Sequence, residues 1–312
     1  MEDFPLTLIE FENRFSTDDV CRNYLFNLRW PNGFKCPRCD NEKAWPISET
    51  HYQCTRCNYQ VSVIAGTIFH GTHKPLTIWF RTIWWLTGQK NGASALGLKR
   101  MLGLNSYDTA WTWLHKLRRA MVTPGRNCLR GKIEVDETHI GGKKSGKRGR
   151  GAKGKALVLV AVEIKNSHIG RIRLQRILNA SAPSLEDGIK KNIDFGSTIQ
   201  TDDWSGYEHL NDIGYKHEIV RHDSDLGENL LPSCHLIASL LKRWLLGTHQ
   251  GAVSHKHLDY YLDEFTFRFN RRNSKHRGKL FYRLLENAVN ISPITNKQIT
   301  QQAKDNLLDH NM

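Results

Sequence analysis

Cys36-Pro37-Arg38-Cys39 and Cys54-Thr55-Arg56-Cys57 constrain this chain more than any other feature: two CxxC turns separated by fourteen residues. One such turn lets two thiolates reach a single ion. Two complete a tetrahedral Cys₄ shell of the structural zinc type, with no open position for chemistry. The segment between them has the length of two short strands, so Cys36, Cys39, Cys54 and Cys57 predict a zinc ribbon. His51, three residues before Cys54, could compete as a ligand, but four cysteines are the simpler set. Arg38 and Arg56 lie inside the turns, a natural place for phosphate contacts. The chain has seven cysteines, an odd number, which suits a metal site in a reducing compartment better than a disulfide framework. Cys21, Cys128 and Cys234 lack a partner motif.

A length of 312 residues argues for about two domains, and the 39% of hydrophobic residues suffices for a core. The formal net charge is +14. Such an excess favours a polyanionic partner, because each phosphate contact by Lys or Arg releases condensed counterions. A basic enzyme of another kind would carry the same charge, so charge alone does not decide. The start Met1-Glu2-Asp3-Phe4-Pro5 lacks the basic and apolar runs of a signal peptide. The most apolar stretch, Leu76 to Leu86, is too short to span a bilayer and contains Arg81. The expected location is the cytoplasm, in association with the nucleoid and with no membrane partner.

Residues up to about 30 read as a helical lead-in, and residues 74–121, rich in Trp and Leu with interspersed Lys and Arg, read as helices. Within them Ala93 to Met121 predicts helix, turn, helix, with Gly103 and Asn105 in the turn. Lys116, Arg118 and Arg119 fall on a basic face. This is either a helix-turn-helix reading a major groove or a packed hairpin with a solvated face; charge and ribbon favour the first. Pro124-Gly125 break the pattern. Strands then follow at Lys132–Glu137, Ala156–Ile164, Arg171–Leu178 and Ser197–Asp202, and helices at Ser184–Ile193, Ser233–Leu246 and Lys256–Phe269. Gly141–Lys155 is a basic, glycine-rich loop. Its Gly149–Lys155 portion nearly spells a phosphate-binding loop but lacks both the Ser or Thr and a preceding strand.

Alternation in Lys132-Ile133-Glu134-Val135-Asp136 puts Glu134 and Asp136 on one face, and Thr198–Asp202 likewise ends in a carboxylate. Carboxylates at the ends of neighbouring strands can share two divalent ions, which assist an in-line phosphoryl displacement. A single strand ending in Asp is as consistent with a surface turn.

Four segments together are more specific. Val135-Asp136-Glu137-Thr138-His139-Ile140-Gly141-Gly142-Lys143, Thr201-Asp202-Asp203-Trp204-Ser205-Gly206-Tyr207, Leu241–His249 and Tyr261–Arg272 resemble, in order and spacing, the motifs of the ISXO-type insertion-sequence transposases. The likeness runs from about residue 20 to 285. It implies a ribonuclease-H-like α/β (mixed α+β) catalytic domain of the DDE class after the ribbon, with catalytic Mg²⁺ or Mn²⁺. Its implied partners are double-stranded DNA (terminal inverted repeats and target) and a second copy of the chain.

Carried over, Asp136 and Asp202 are the metal-binding carboxylates. Asp203 is adjacent, but strand alternation sends only one of the two inward. Seven residues before Lys242, where many relatives carry Glu, stands His235, as in some members of the group. Ser233–Leu246 places Leu236, Ile237, Leu240, Leu241, Trp244 and Leu245 in one stripe and His235, Ser239 and Lys242 on the other face. His235 is then a ligand tolerant of manganese or a proton-handling group, and Lys242 a phosphate contact. The expected layout is 1–66 helix and ribbon, 67–124 helical DNA-binding segment, 125–290 catalytic domain and 291–312 tail. Two other readings are an inactive transposase-derived DNA-binding protein and a zinc-ribbon nuclease without strand transfer.

Overall fold

The computed structural model describes residues 2–123, 125–141, 155–221, 230–251 and 253–305. The chain divides into two compact units, Met1–Thr123 with Ser274–Met312, and Pro124–Asn273. The first holds α1 (Leu8–Arg14), α2 (Asp18–Arg29), strands β1 (Ala44–Pro46), β2 (His51–Cys54) and β3 (Gln60–Ser62), then α3 (Leu76–Gly88), α4 (Ala95–Leu102) and α5 (Tyr107–Ala120). The second holds β4 (Lys132–Ile140), β5 (Ala156–Lys165), β6 (His168–Ile177), α6 (Ala182–Asn192), β7 (Thr198–Thr201), β8 (Lys216–Ile219), α7 (Pro232–His249) and α8 (Leu258–Asn270). α9 (Arg277–Asn290) and α10 (Asn296–Asp305) return to the first.

In the first unit the lead-in is two helices, because the Thr17 side chain accepts from Val20 N–H and starts α2 afresh, with Asp18 and Asp19 at its positive end. β1, β2 and β3 form an antiparallel ribbon. The helices share an aromatic core. Phe15, Phe80 and Phe281 lie with ring centroids 4.9–5.7 Å apart. Phe281 belongs to α9, which packs on α2, α3 and α5. The division thus falls at Asn273, whereas the sequence pattern carries the second domain to 290. Long-range packing of α9 sets the boundary, and composition does not reveal it.

The hairpin Ala93–Met121 forms as the pattern predicts. Ser94 caps α4, Gly103 ends it in the left-handed region at φ +60°, and Ser106 caps α5. Its basic face differs from expectation. Arg118 is 1% exposed, and burial lowers the pKa of Lys116. α5 is therefore a core helix over most of its circumference, with Trp113 stacked on Trp79 at 3.8 Å.

The second unit is built on a five-stranded mixed sheet of order β6-β5-β4-β7-β8. β4–β5 and β5–β6 are antiparallel, and β4–β7 and β7–β8 parallel. This is the ribonuclease-H-like arrangement. β5 reads Ala-Leu-Val-Leu-Val-Ala-Val because both its faces are covered. One face packs on α7 and α8 through Val158, Val160, Ile237, Leu241 and Phe265. The other packs on α6 and the 3-10 turn Ser205–Leu210 through Val135, Leu159, Leu185 and Tyr207. β8 is absent from the sequence-predicted strands. Most of the basic loop, residues 142–154, lies outside the described residues.

Candidate active site and metal centre

The four ribbon cysteines converge. Cys36 Sγ and Cys57 Sγ are 3.7 Å apart, Cys39 and Cys54 3.6 Å, and Cys39 and Cys57 3.4 Å. Thiolates on a zinc tetrahedron, with Zn–S of about 2.3 Å, stand roughly 3.8 Å apart, far beyond a disulfide's ~2.05 Å. The spacing therefore fits one tetrahedral ion. Cys54 Sγ accepts from Arg56 N–H (3.4 Å) and from the Asn41 side-chain amide (3.5 Å), contacts that favour a thiolate. His51 lies on β2 with an exposed side chain, its Nδ1 2.7 Å from Thr50 Oγ1, and is not part of this group. Arg38 and Arg56 are exposed. Among the described residues, this is the one set of three or more ligating side chains whose donor atoms all fall within 4.8 Å of one another.

The second site lies at the middle of β4 and the carboxyl end of β7. These parallel neighbours pair Lys132 with Thr198 and Glu134 with Gln200. Continuing that register by two residues brings Asp136 level with Asp202, the first residue beyond β7. Asp136 is 19% exposed, and Asp202 is partly buried. Asp203, next along, is exposed and pairs with Arg221 Nε at 3.4 Å. Thr201 Oγ1, 2.8 Å from His217 Nε2 on β8, fixes the end of β7. Gly206 allows the following turn to close. A Cβ there would lie 2.7 Å from the Trp204 indole nitrogen, which donates to Ala180 O at 2.8 Å.

Over β4 lies α7. Its buried face is Cys234, Ile237, Ala238, Leu241 and Leu245. Leu236, which the periodicity assigns to the apolar stripe, is 49% exposed, because the buried face centres on Cys234 and Leu241 instead. His235, Ser239 and Lys242 lie on the exposed side. His235 Nε2 is 3.3 Å from Asp136 Oδ2. Partial burial, and then the neighbouring Lys155, lower the Lys242 pKa, while Asp136 pulls it back up. Lys242 and Asp136 thus share one electrostatic neighbourhood.

Two residues of this region carry no assignment from the sequence pattern. Glu134, 7% exposed, accepts from the first turn of α7. Tyr207 is fully buried, and its hydroxyl has no hydrogen-bond partner among the described residues. Burial, then the negative charge of Glu137, Asp136 and Asp202, drives its pKa well up. Carboxylate oxygens such as those of Asp136 and Asp202 are the donors that Mg²⁺ or Mn²⁺ prefers. The imidazole of His235 suits the softer of the two.

Residues 128–270 match the family of ISXO2-like transposase domains, and residues 16–60 match the transposase zinc-ribbon domain. A protein of the transposable element ISH50 in Halobacterium salinarum is 27% identical over 287 residues, covering 81% of this chain and 91% of that protein. Among solved structures, the simian T-cell lymphotropic virus intasome in complex with PP2A regulatory subunit B56 gamma is similar at 16% identity and TM-score 0.31. The likeness covers 64% of this chain and 74% of that one. The Mos1 strand transfer complex is similar at 12% identity and TM-score 0.27, covering 72% and 77%. Likenesses this distant carry no argument about function. The ribbon, the mixed sheet and the two matches agree: the chain joins an N-terminal transposase zinc-ribbon domain to an ISXO2-like transposase domain.

Proposed function

We propose that this transposase hydrolyses a phosphodiester at the ends of its insertion sequence and then directs the freed 3′-hydroxyl at target DNA. The observation that carries the reading is the juxtaposition of the middle of β4 and the end of β7: His235 stands 3.3 Å from Asp136, and the β4–β7 register, continued by two residues, brings Asp202 level with Asp136. Asp136 and Asp202 would hold Mg²⁺ or Mn²⁺. Bound there, the ions would activate the attacking oxygen and offset charge on the leaving one. His235 either completes the ligand set or handles the proton of the attacking group. Lys242, seven residues on and so about 10 Å along the helix axis, would hold a phosphate of the bound strand.

Structural zinc in the Cys₄ cluster would keep the ribbon folded and present Arg38 and Arg56 to DNA. The net charge of +14 makes binding to double-stranded DNA steeply salt-dependent. Pairing of two element ends calls for at least two copies of the chain. No helix among the described residues is long and apolar enough to cross a membrane.

The test is incubation with terminal-repeat DNA and Mg²⁺ or Mn²⁺. Nicking followed by joining is the expected result. Binding without nicking would mean an inactive DNA-binding protein. Nicking without joining would mean a nuclease.

A further inference from the structure

Glu134 lies two residues before Asp136 on the same face of β4, and both of its oxygens are engaged by α7. Ser233 N–H donates to Oε2 at 2.9 Å and Cys234 N–H to the same oxygen at 3.1 Å, while Ser233 Oγ donates to Oε1 at 2.9 Å. These are the first backbone donors of the helix. Pro232 ahead of them has none, and α7 has no side-chain cap of its own. A carboxylate at a helix N-terminus gains from the macrodipole and from charge-assisted hydrogen bonds, and at 7% exposure water screens neither strongly. The partners are 99 and 100 positions apart in the chain, so the contact is purely tertiary.

Two donors on successive residues fix more than a distance. They set both the height of α7 along β4 and its rotation about its own axis. The next residue is His235, whose imidazole reaches Asp136 at 3.3 Å. In an α-helix each residue turns the face by about 100° and rises about 1.5 Å, so a slip of one residue would carry the imidazole off the carboxylate. We propose that Glu134 is a positioning residue: it clamps the first turn of α7 to β4 so that His235 is held over Asp136. Alternation puts Glu134 on the same face as Asp136, but both of its oxygens are engaged by the first turn of α7. The inference rests on the reading of Asp136 and His235 as part of the active centre.

The test reads position directly, with Mn²⁺ alone as the probe. In full-length protein carrying isotope-labelled histidine, bound Mn²⁺ should broaden the His235 imidazole signals, which the spectrum of His235→Ala identifies. Glu134→Gln keeps the shape but presents one acceptor and an opposing amide. It should bind Mn²⁺ to the same stoichiometry while the broadening at His235 and the cleavage rate each fall by about tenfold or more, the usual range for lost outer contacts. Ser233→Ala, which removes one donor of three, should fall between the two, and it decides the matter if Glu134→Gln does not fold.

In the His235→Ala background, Glu134→Gln should cost little further activity. A variant at Glu134 or Ser233 with wild-type broadening and wild-type cleavage overturns the clamp and leaves the transposase reading untouched. Wild-type protein that shows the Mn²⁺ broadening and its loss in Glu134→Gln, yet never nicks DNA, upholds the clamp and sinks that reading instead.

Discussion

His235 Nε2 stands 3.3 Å from Asp136 Oδ2, joining the first turn of α7 to the middle of β4. An imidazole so placed is positioned either to ligate an ion that Asp136 holds or to exchange a proton beside it. The two roles separate on ion preference. Replacing imidazole by a carboxylate, His235→Glu, supplies a hard oxygen donor and should raise activity with Mg²⁺ relative to Mn²⁺. A shift of about tenfold, equivalent to ~1.4 kcal/mol, is expected for a ligand. An unchanged ratio in strand-transfer assays, with lower activity in both ions, would assign proton handling. His235→Ala with full activity in both ions would remove His235 from the site.

Asp136 is partly exposed, so its charge can be removed without opening the core. Asp136→Asn should leave DNA-end binding and thermal stability near wild type. It should lower nicking by about 1,000-fold or more, since a metal ligand underwrites several kcal/mol of transition-state charge stabilisation at about 1.4 kcal/mol per decade. A band-shift assay and a nicking assay on the same preparation check both halves. Loss of DNA binding in parallel with nicking would mean that the residue acts on folding or docking.

Lys242 shares its electrostatic neighbourhood with Asp136 and Lys155. A phosphate contact predicts a specific salt signature. Lys242→Ala should weaken binding of terminal-repeat DNA across all sequences and flatten the slope of log K against log salt by about 0.9, one counterion's share. The Mn²⁺ concentration for half-maximal nicking should not move. An unchanged salt slope would place Lys242 outside the DNA path.

What could be read from the sequence divides along physical lines. Metal ligation imposes a fixed spacing, so the Cys₄ set is legible from Cys36 to Cys57 alone. β5 is legible because burial on both faces leaves an unbroken apolar run. Edge strand β8 is not, since Lys-His-Glu-Ile is short, polar and mostly exposed. Arg118 shows the limit of periodicity: it marks where an apolar stripe is centred, not how wide the buried surface becomes. α9 carries a regular pattern of Leu280, Phe281, Leu284, Leu285 and Ala288, yet its partners lie near the other end of the chain. Glu134 is the sharpest case in the site. Alternation gives its face, but its role depends on donors 99 and 100 residues away.

The sulfur spacings of 3.4–3.7 Å carry a prediction for the ribbon. β1 and β3 are three residues each, too little sheet to persist without a cross-link. Stripping zinc with a chelator, or Cys39→Ser, should abolish the ordered ribbon and reduce DNA-end binding. The mixed sheet should stay folded, because none of its core residues comes from the ribbon. Zinc content by atomic absorption, with hydrogen exchange followed over both regions, tests the pair of claims. Retention of ribbon protection without metal would refute them.

Glu163 on β5 is fully buried, and its carboxylate accepts from Arg171 Nη2 at 2.9 Å, Arg171 Nε at 3.2 Å and the backbone N–H groups of Arg171 and Arg130. Burial raises its pKa, but the Arg171 contacts outweigh that and hold it down to about 2, against 4.5 for the free group. A depressed acid stabilises the fold above its unfolded pKa and loses that contribution as pH falls through the folded one. Here the contribution is full above pH 4.5 and fades towards pH 2. The shift corresponds to about 3 kcal/mol, in line with the cost of breaking a buried pair by removing one partner. Glu163→Gln should therefore speed exchange of the β5 and β6 amides by about 100-fold at neutral pH, at roughly 1.4 kcal/mol per decade. The gap from wild type should close as the pH is lowered from 4.5 towards 2. A gap that stays constant across that range would mean that Glu163 contributes through its packing rather than through its charge.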